Sequence, residues 1–366
     1  MGYLTKKESG IRIQESDSKL YVRRCPGEWE RQSAVWLAWP HNEKEWKSKL
    51  PEIKEFYVKL INLILQFQDV KLVLHNEELL NEVVELEASV RKPEAKRQCH
   101  KIVIPNNDIW IRDYGPFFLQ VIASEQSERS NPDRDCFVAK APRNDKLIAN
   151  FEFNAWGGKF PPFDFDNQVP KNIALYLGEI CESYPIILEG GAIDFNGNGI
   201  AVTTEECLLN KNRNPNLDKE QFENILKSVF NLQKIIWLEC GLKNDHTDGH
   251  VDNVARFING GKLLINEPVT KELKVIEKII AKYELEACEL PFPDVDRKKM
   301  PSASYLNFIF VNEGIIVPIF NSTTDKIAID TFQKIFPKRK ILGLDCSLLI
   351  QEGGGLHCIS KQESYP

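Results

Sequence analysis

The chain has 366 residues, 42% of them hydrophobic and 27% charged, the balance of an ordinary globular protein, which excludes a disordered or collagen-like chain. Its net charge of -6 argues against nucleic acid as a partner, because phosphate binding calls for a basic face, and suits a small cationic molecule better. No apolar run reaches the roughly 18 residues of a membrane span. The nine cysteines are scattered, odd in number and without a close CxxC pair, so they read as reduced thiols of a cytoplasmic protein, not as a disulfide framework or zinc ribbon.

Residues 1–27 are polar, lack the apolar stretch and small-residue cleavage site of a secretory signal, and are read as a leader. The first half then offers the strand VWLAWP, the helical PEIKEFYVKLINLILQF, the strand KLVLH, the helical ELLNEVVELEASV, the strand KIVIP and a hairpin opening with IWIRDYGPFFLQVI. SEQSERSNPDRD, hydrophilic and containing Pro, reads as an exposed loop.

The second half repeats. GAIDFNGNGIAVTT, VARFINGGKLLIN and SYLNFIFVNEGIIVPIF are each two β-rich runs joined through Asn and Gly, the pattern of a hairpin. Each is followed by a stretch with apolar residues at helical spacing (DKEQFENILKSVF, TKELKVIEKIIAKY, DKIAIDTFQKIF) and then by a short strand (KIIWLE, EACELPFP, KILGLDC). Four or five such units fill the chain, and residues 28–366 are expected to form a single α/β domain, with a two-domain split as the alternative.

Four segments carry residues suited to chemistry. In GGGLHCIS, three glycines that let a backbone approach a ligand lead to Cys358, a nucleophile if its thiol is deprotonated, although most free cysteines are buried hydrophobes. HTDGHVDN gathers His246, Asp248, His250 and Asp252. In an extended segment His250 and Asp252 share a face, while an Asp-Gly turn with a surface histidine is equally compatible. NDIWIRDYGP supplies Trp110 and Asp113, an aromatic wall and a bidentate acceptor for a planar cation, or else a buried Trp beside a surface Arg and Asp pair. In ILEGGAID, Glu189 either orients a histidine or caps a turn.

In this order WIRDYGP, FNAWGGKF, LEGG, TTEECLLNKNRNP, DGHVDN, ASYLNF and GGGLHCIS resemble the agmatine deiminase family, related to the bacterial peptidyl-arginine deiminases, and the resemblance spans roughly Glu28 to Ser360. It implies the pentein α/β propeller, a pseudo-fivefold ring of ββαβ units, with which the repeat read above agrees. Carried over by motif, it implies Cys358 as nucleophile, His250 as acid and base, Asp113 and Asp252 as guanidinium-binding carboxylates, and Glu189 as the acidic residue beside the histidine. Trp110 would stack on the guanidinium, with Asp248 and Gly355 as further substrate contacts.

The implied reaction converts agmatine and water to N-carbamoylputrescine and ammonia through a covalent Cys thiouronium, with no metal and no cofactor. Deimination of peptidyl or free arginine, or a non-catalytic guanidine-binding protein, are the alternatives. HxxxH at His246 and His250 suits a zinc helix, but Gly249 disfavours a helix there. His357 is expected to be packed on the far side from Cys358, and Trp156, Tyr305 and Asn307 are candidates to line the site. Asp248 stands where the family tends to have Asn, and an extra carboxylate there suits a cationic tail. The resemblance also suggests a homo-oligomer.

Overall fold

The structure, a computed structural model, describes residues 21–90, 97–123, 145–267 and 271–365. Residues 1–20 and the expected SEQSERSNPDRD loop lie outside them. The protein is a mixed α/β structure whose described strands fall into five small sheets.

Three sheets are the units read from the second half. In the first, Ile193–Phe195 runs antiparallel to Ile200–Thr204, the chain crosses through the helix Lys219–Phe230, and Lys234–Leu238 returns parallel to Ile200–Thr204. The return is parallel because a helix, and not a tight turn, separates the strands. Ala255–Asn259, Lys262–Asn266, the helix Lys271–Lys282 and Glu286–Leu290 repeat this pattern. So do Ile309–Val311, Gly314–Ile319, the helix Asp325–Ile335 and Lys340–Asp345.

Local chemistry sets these helices. In Lys219–Phe230 the Asp218 side chain accepts from the Gln221 N–H at 2.8 Å and the Gln221 side chain accepts from the Asp218 N–H at 3.0 Å, a reciprocal cap. Phe222, Leu226, Val229 and Phe230 then bury one face, and Asn231 in the left-handed conformation ends the helix.

The first half diverges at its edges. Phe117–Ala123, Asp145–Glu152, the helix Val169–Leu177 and Ile180–Ile187 form a fourth unit, to which Tyr21–Arg24, read from sequence as leader, adds an outer antiparallel strand. The expected hairpin opening IWIRDY is instead a helical turn, Ile111–Tyr114, because Asp113 N–H donates to Trp110 O and Gly115 N–H to Ile111 O. The fifth unit joins both ends of the chain. Ser360–Ser364 pairs antiparallel with Gln32–Ala38, and Asp69–Leu74 and Cys99–Val103 follow in parallel.

Glu363 holds that junction. It is 2% exposed and accepts from Lys71 Nζ at 2.7 Å, Lys146 Nζ at 2.7 Å, Trp36 Nε1 at 2.9 Å and Ser33 Oγ at 2.9 Å, so one carboxylate ties the last strand to two sheets. Burial alone would raise its pKa, but the two ammonium groups outweigh burial and hold it below the usual glutamate value. Glu363→Gln leaves both lysines short of their counter-charge and lowers the unfolding free energy by about 3 kcal/mol or more. Urea unfolding at pH 7 measures the loss. Because a depressed carboxylate pKa stabilises above the unfolded value, the wild-type advantage is lost as the pH falls through the folded value.

Candidate active site

Cys358 lies in the turn before the last strand and is 6% exposed. Its sulfur sits 3.9 Å from Asp252 Oδ2 and receives the Asn307 amide Nδ2 at 3.3 Å. The Gly355 N–H also points to it. Asn307 in turn accepts the N–H of His357 at 2.9 Å and of Cys358 at 3.3 Å, so it fixes the Cys358 backbone as well as its sulfur. A Cβ on Gly355 would fall 2.5 Å from Asn307 Oδ1, which explains glycine there. Burial, then the charges of Asp252 and Asp113, push the Cys358 thiol well above its ordinary value, so without a cation it stays protonated.

The sequence expected His250 and Asp252 to share one face of an extended segment. They share the site, but through a short helical turn, Val251–Asn253, for which His250 is the preceding extended residue. His250 is 1% exposed, and its Nδ1 lies 3.7 Å from Asp113 Oδ1. Neither ring nitrogen has a hydrogen-bond partner. Burial draws its pKa down, but Asp113, Glu189 and Asp252 outweigh burial and leave it above the usual histidine value. Asp113 is oriented by Trp156 Nε1 at 2.8 Å on Oδ2 and by the Gly191 N–H at 2.9 Å on Oδ1. Asp252 leaves Oδ1 unpaired, as Glu189 leaves Oε2. Burial raises the Asp113 pKa despite the nearby His250, whereas His357 pulls that of Asp252 below the usual value against burial.

Gly191 sits among these groups. A Cβ there would lie 2.6 Å from His250 Nδ1, 2.8 Å from Asp113 Oδ1 and 3.0 Å from Asp252 Oδ2, so only glycine leaves the three converging side chains in place. Trp110 packs on the glycine loop, since a Cβ on Gly354 would meet its ring at 2.4 Å. Beside it stands an acidic group of Asp108, Glu45 and Asp166. Burial, then mutual repulsion within the Glu45, Asp108 and Asp166 group, raises Glu45 to about 8 and Asp108 to about 7.

Asp248 is placed differently from the expectation. Its Oδ1 accepts from Lys159 Nζ at 2.5 Å and its Oδ2 from Asn212 Nδ2 at 2.9 Å and from Arg213 Nη1, so neither oxygen is free for a cationic tail. Arg213 also donates to Glu189 Oε1 at 2.8 Å, so Asp248 braces the loop before His250. Tyr305 bonds Thr324 and Asp325 and serves packing. His357 is buried as expected, but between carboxylates and not in an apolar niche. Glu189, Cys207 and His250 bring potential metal donors within 4.8 Å of one another. Of these, Glu189 already gives Oε1 to Arg213, and burial, then the Glu189 charge, raise the Cys207 thiol well above its ordinary value. Glu28, Gly191, Arg213, Glu45 and Asp108 escaped the sequence reading, although Gly191, Arg213 and Asp108 lie inside quoted segments.

Buried carboxylates converging with a histidine and a thiol in a five-sheet α/β fold define the class: a deiminase-type enzyme acting on a guanidino C–N bond. The sequence pattern of the Porphyromonas-type peptidyl-arginine deiminases matches residues 24–364, and the chain belongs to that family. It is 32% identical to an agmatine deiminase of Pseudomonas syringae pv. syringae, covering 93% of this chain and 95% of the relative, and 31% identical to that of P. syringae pv. tomato over the same shares. Among solved structures, a cysteine-to-serine variant of C. jejuni agmatine deiminase with substrate bound is 30% identical, with a TM-score of 0.80 over 94% of this chain and 97% of that one. The agmatine deiminase of Enterococcus faecalis is 28% identical, with a TM-score of 0.79 over 95% and 96%.

Gly191→Ala tests the convergence. The fold is kept by circular dichroism, while kcat/KM falls about a hundredfold or more, as displacement of reacting groups by about an ångström predicts.

Proposed function

We propose that the protein hydrolyses agmatine to N-carbamoylputrescine and ammonia. The observation that carries the reading is a buried Cys358 facing Asp252 and Asp113, with Asp252 Oδ1 left without a partner. A planar guanidinium supplies the donors these acceptors lack, and its charge offsets the two carboxylates that hold the thiol up.

Asp113 and Asp252 fix the guanidinium plane, Cys358 releases its thiol proton to solvent as the cation binds, and the resulting thiolate attacks the guanidinium carbon to give a tetrahedral adduct. His250, kept protonated by its carboxylate neighbours, gives a proton to one amino group, which leaves as ammonia, and an S-alkylthiouronium remains. The now neutral His250 takes a proton from water, whose oxygen attacks the same carbon. The C–S bond breaks as the remaining hydroxyl proton passes to the departing sulfur, which frees the ureido product and restores the Cys358 thiol. Glu189, steadied by Arg213, favours the imidazolium, and Asn307 and Gly355 donate to the sulfur.

The acidic pair Glu45 and Asp108 beside Trp110 favours agmatine over arginine. Trp110 offers a wall for the methylene chain, and an ammonium tail would favour ionisation of the pair and be drawn to it, an attraction a carboxylate-bearing tail lacks. We further read the five sheets as the blades of a pentein-type propeller, and residues 28–366 as one catalytic domain acting in the cytoplasm.

Ammonia and ureido product are assayed from agmatine, arginine and a peptidyl-arginine, for wild type and Cys358→Ala. Agmatine-selective turnover lost in the variant is the expected result, and a wild type inert toward every guanidine sinks the reading. Glu45→Gln raises the agmatine KM several-fold with a smaller change in kcat, while an unchanged KM would remove the tail assignment.

A further inference from the structure

Asp252 leaves one oxygen unpaired and spends the other on the ring of His357. Both nitrogens of that ring are engaged: Nδ1 lies 2.8 Å from Asp252 Oδ2, and Nε2 lies 2.9 Å from Glu28 Oε1. Glu28 is fixed in turn, since its Oε1 accepts from Arg112 Nη1 at 2.9 Å and its Oε2 from Arg256 Nη2 at 2.6 Å. Arg256 is flanked on its other side by Asp194 at 3.6 Å. The His357 main chain is held as well, by Asn307 Oδ1 on its N–H and by Arg112 Nε on its carbonyl at 3.1 Å. All these side chains are buried.

We propose that Glu28 and His357 form a positioning relay for Asp252: the glutamate locks the imidazole, and the imidazole pins one oxygen of Asp252 so that the other faces the guanidinium. A ring anchored at both nitrogens cannot turn, and a carboxylate anchored at one oxygen presents the second in one direction. The logic is that of outer ligands that orient the groups touching a substrate or metal. A neutral imidazole donates from only one nitrogen, so the imidazolium is the form that serves both carboxylates. Burial, then the guanidiniums of Arg112 and Arg256, outweigh Glu28 and Asp252 and lower the His357 pKa, so the ring takes that form less readily than a free histidine and the anchoring rests on the two short contacts. The relay rests on the reading of Asp252 as a guanidinium carboxylate, and it adds two residues to which neither the sequence motifs nor the proposed chemistry gave a task.

Two isosteric changes separate the halves of the relay. His357→Asn places an amide nitrogen where Nδ1 stood and keeps the bond to Asp252. His357→Gln places one where Nε2 stood, keeps the reach to Glu28 and loses Asp252. Binding of propylguanidinium, which has the head group without the tail amine, is measured by calorimetry in the Cys358→Ala background, so an error about the tail leaves this test untouched. His357→Gln is expected to weaken binding about tenfold or more and His357→Asn by no more than about threefold, in keeping with the loss of one charged hydrogen bond. Iodoacetamide alkylation of Cys358 in the free enzyme stays within about twofold of wild type in both, since Asp252 keeps the charge that acts on the sulfur and loses only its fixed orientation.

Equal affinities for the two variants, no loss in either, or alkylation falling in step with affinity each overturns the relay. So does a wild type that binds no alkylguanidinium. Thermal unfolding establishes that each variant is folded. If His357→Gln is not, Glu28→Gln, which keeps the shape of the side chain, carries the comparison. Weaker propylguanidinium binding with unchanged alkylation then supports the relay, and unchanged binding rejects it.

Discussion

Taking a carboxylate out of water is costly unless a cation or several donors meet it, and this protein buries Glu28, Asp113, Glu189, Asp252 and Glu363. Each is matched in its own way. Glu363 meets two lysines, Glu189 meets Arg213, and Glu28 meets Arg112, Arg256 and His357. Asp113 and Asp252 are matched only in part, by an indole N–H, a backbone N–H and a histidine. The structural carboxylates are thus neutralised within the protein, and the two at the site wait for an outside cation.

The matching also decides where the polypeptide closes. Glu28 comes from the first described turn and His357 from the last, and Arg256 lies between them in the chain. Their meeting brings early and late segments of the described chain together at the site, just as Glu363 lies on the strand that pairs with Gln32–Ala38. The nucleophile follows His357 directly, so the packing that joins the two ends also places the sulfur. Burial of this kind is weak evidence for stability but strong evidence for a single arrangement.

The hairpin, helix and strand repeat was legible because each step has its own periodicity: Asn-Gly turns at 196–199, helical spacing of Phe222, Leu226 and Val229, then a β-rich run. Cys358, His250, Asp113 and Asp252 were legible as candidates because their motifs are local. Glu28 was not, since its partners Arg112, Arg256 and His357 lie 84, 228 and 329 residues away and no local pattern announces them. Asp248 misled for the related reason that Lys159 and Arg213, which consume its charge, are 89 and 35 residues distant. The IWIRDY segment has the apolar alternation of a strand, yet its backbone hydrogen bonds close on themselves as a turn. Alternation reports which side chains are buried, and a short turn can bury the same ones.

The raised thiol pKa of Cys358 joins recognition to reactivity. Two carboxylates placed to bind a cation are, without it, the groups that keep the sulfur protonated after burial. A neutral or anionic molecule entering the site leaves that penalty in place, so it meets a thiol. A guanidinium removes it at the moment it presents its carbon. His250 obeys the opposite sign, because the same carboxylates keep it charged, and a bound cation weakens that hold just as the proton is needed by the leaving group. In the proposed chemistry, selectivity for a cationic group and the ionisation of Cys358 and His250 are therefore one electrostatic arrangement, set by the charges of Asp113 and Asp252.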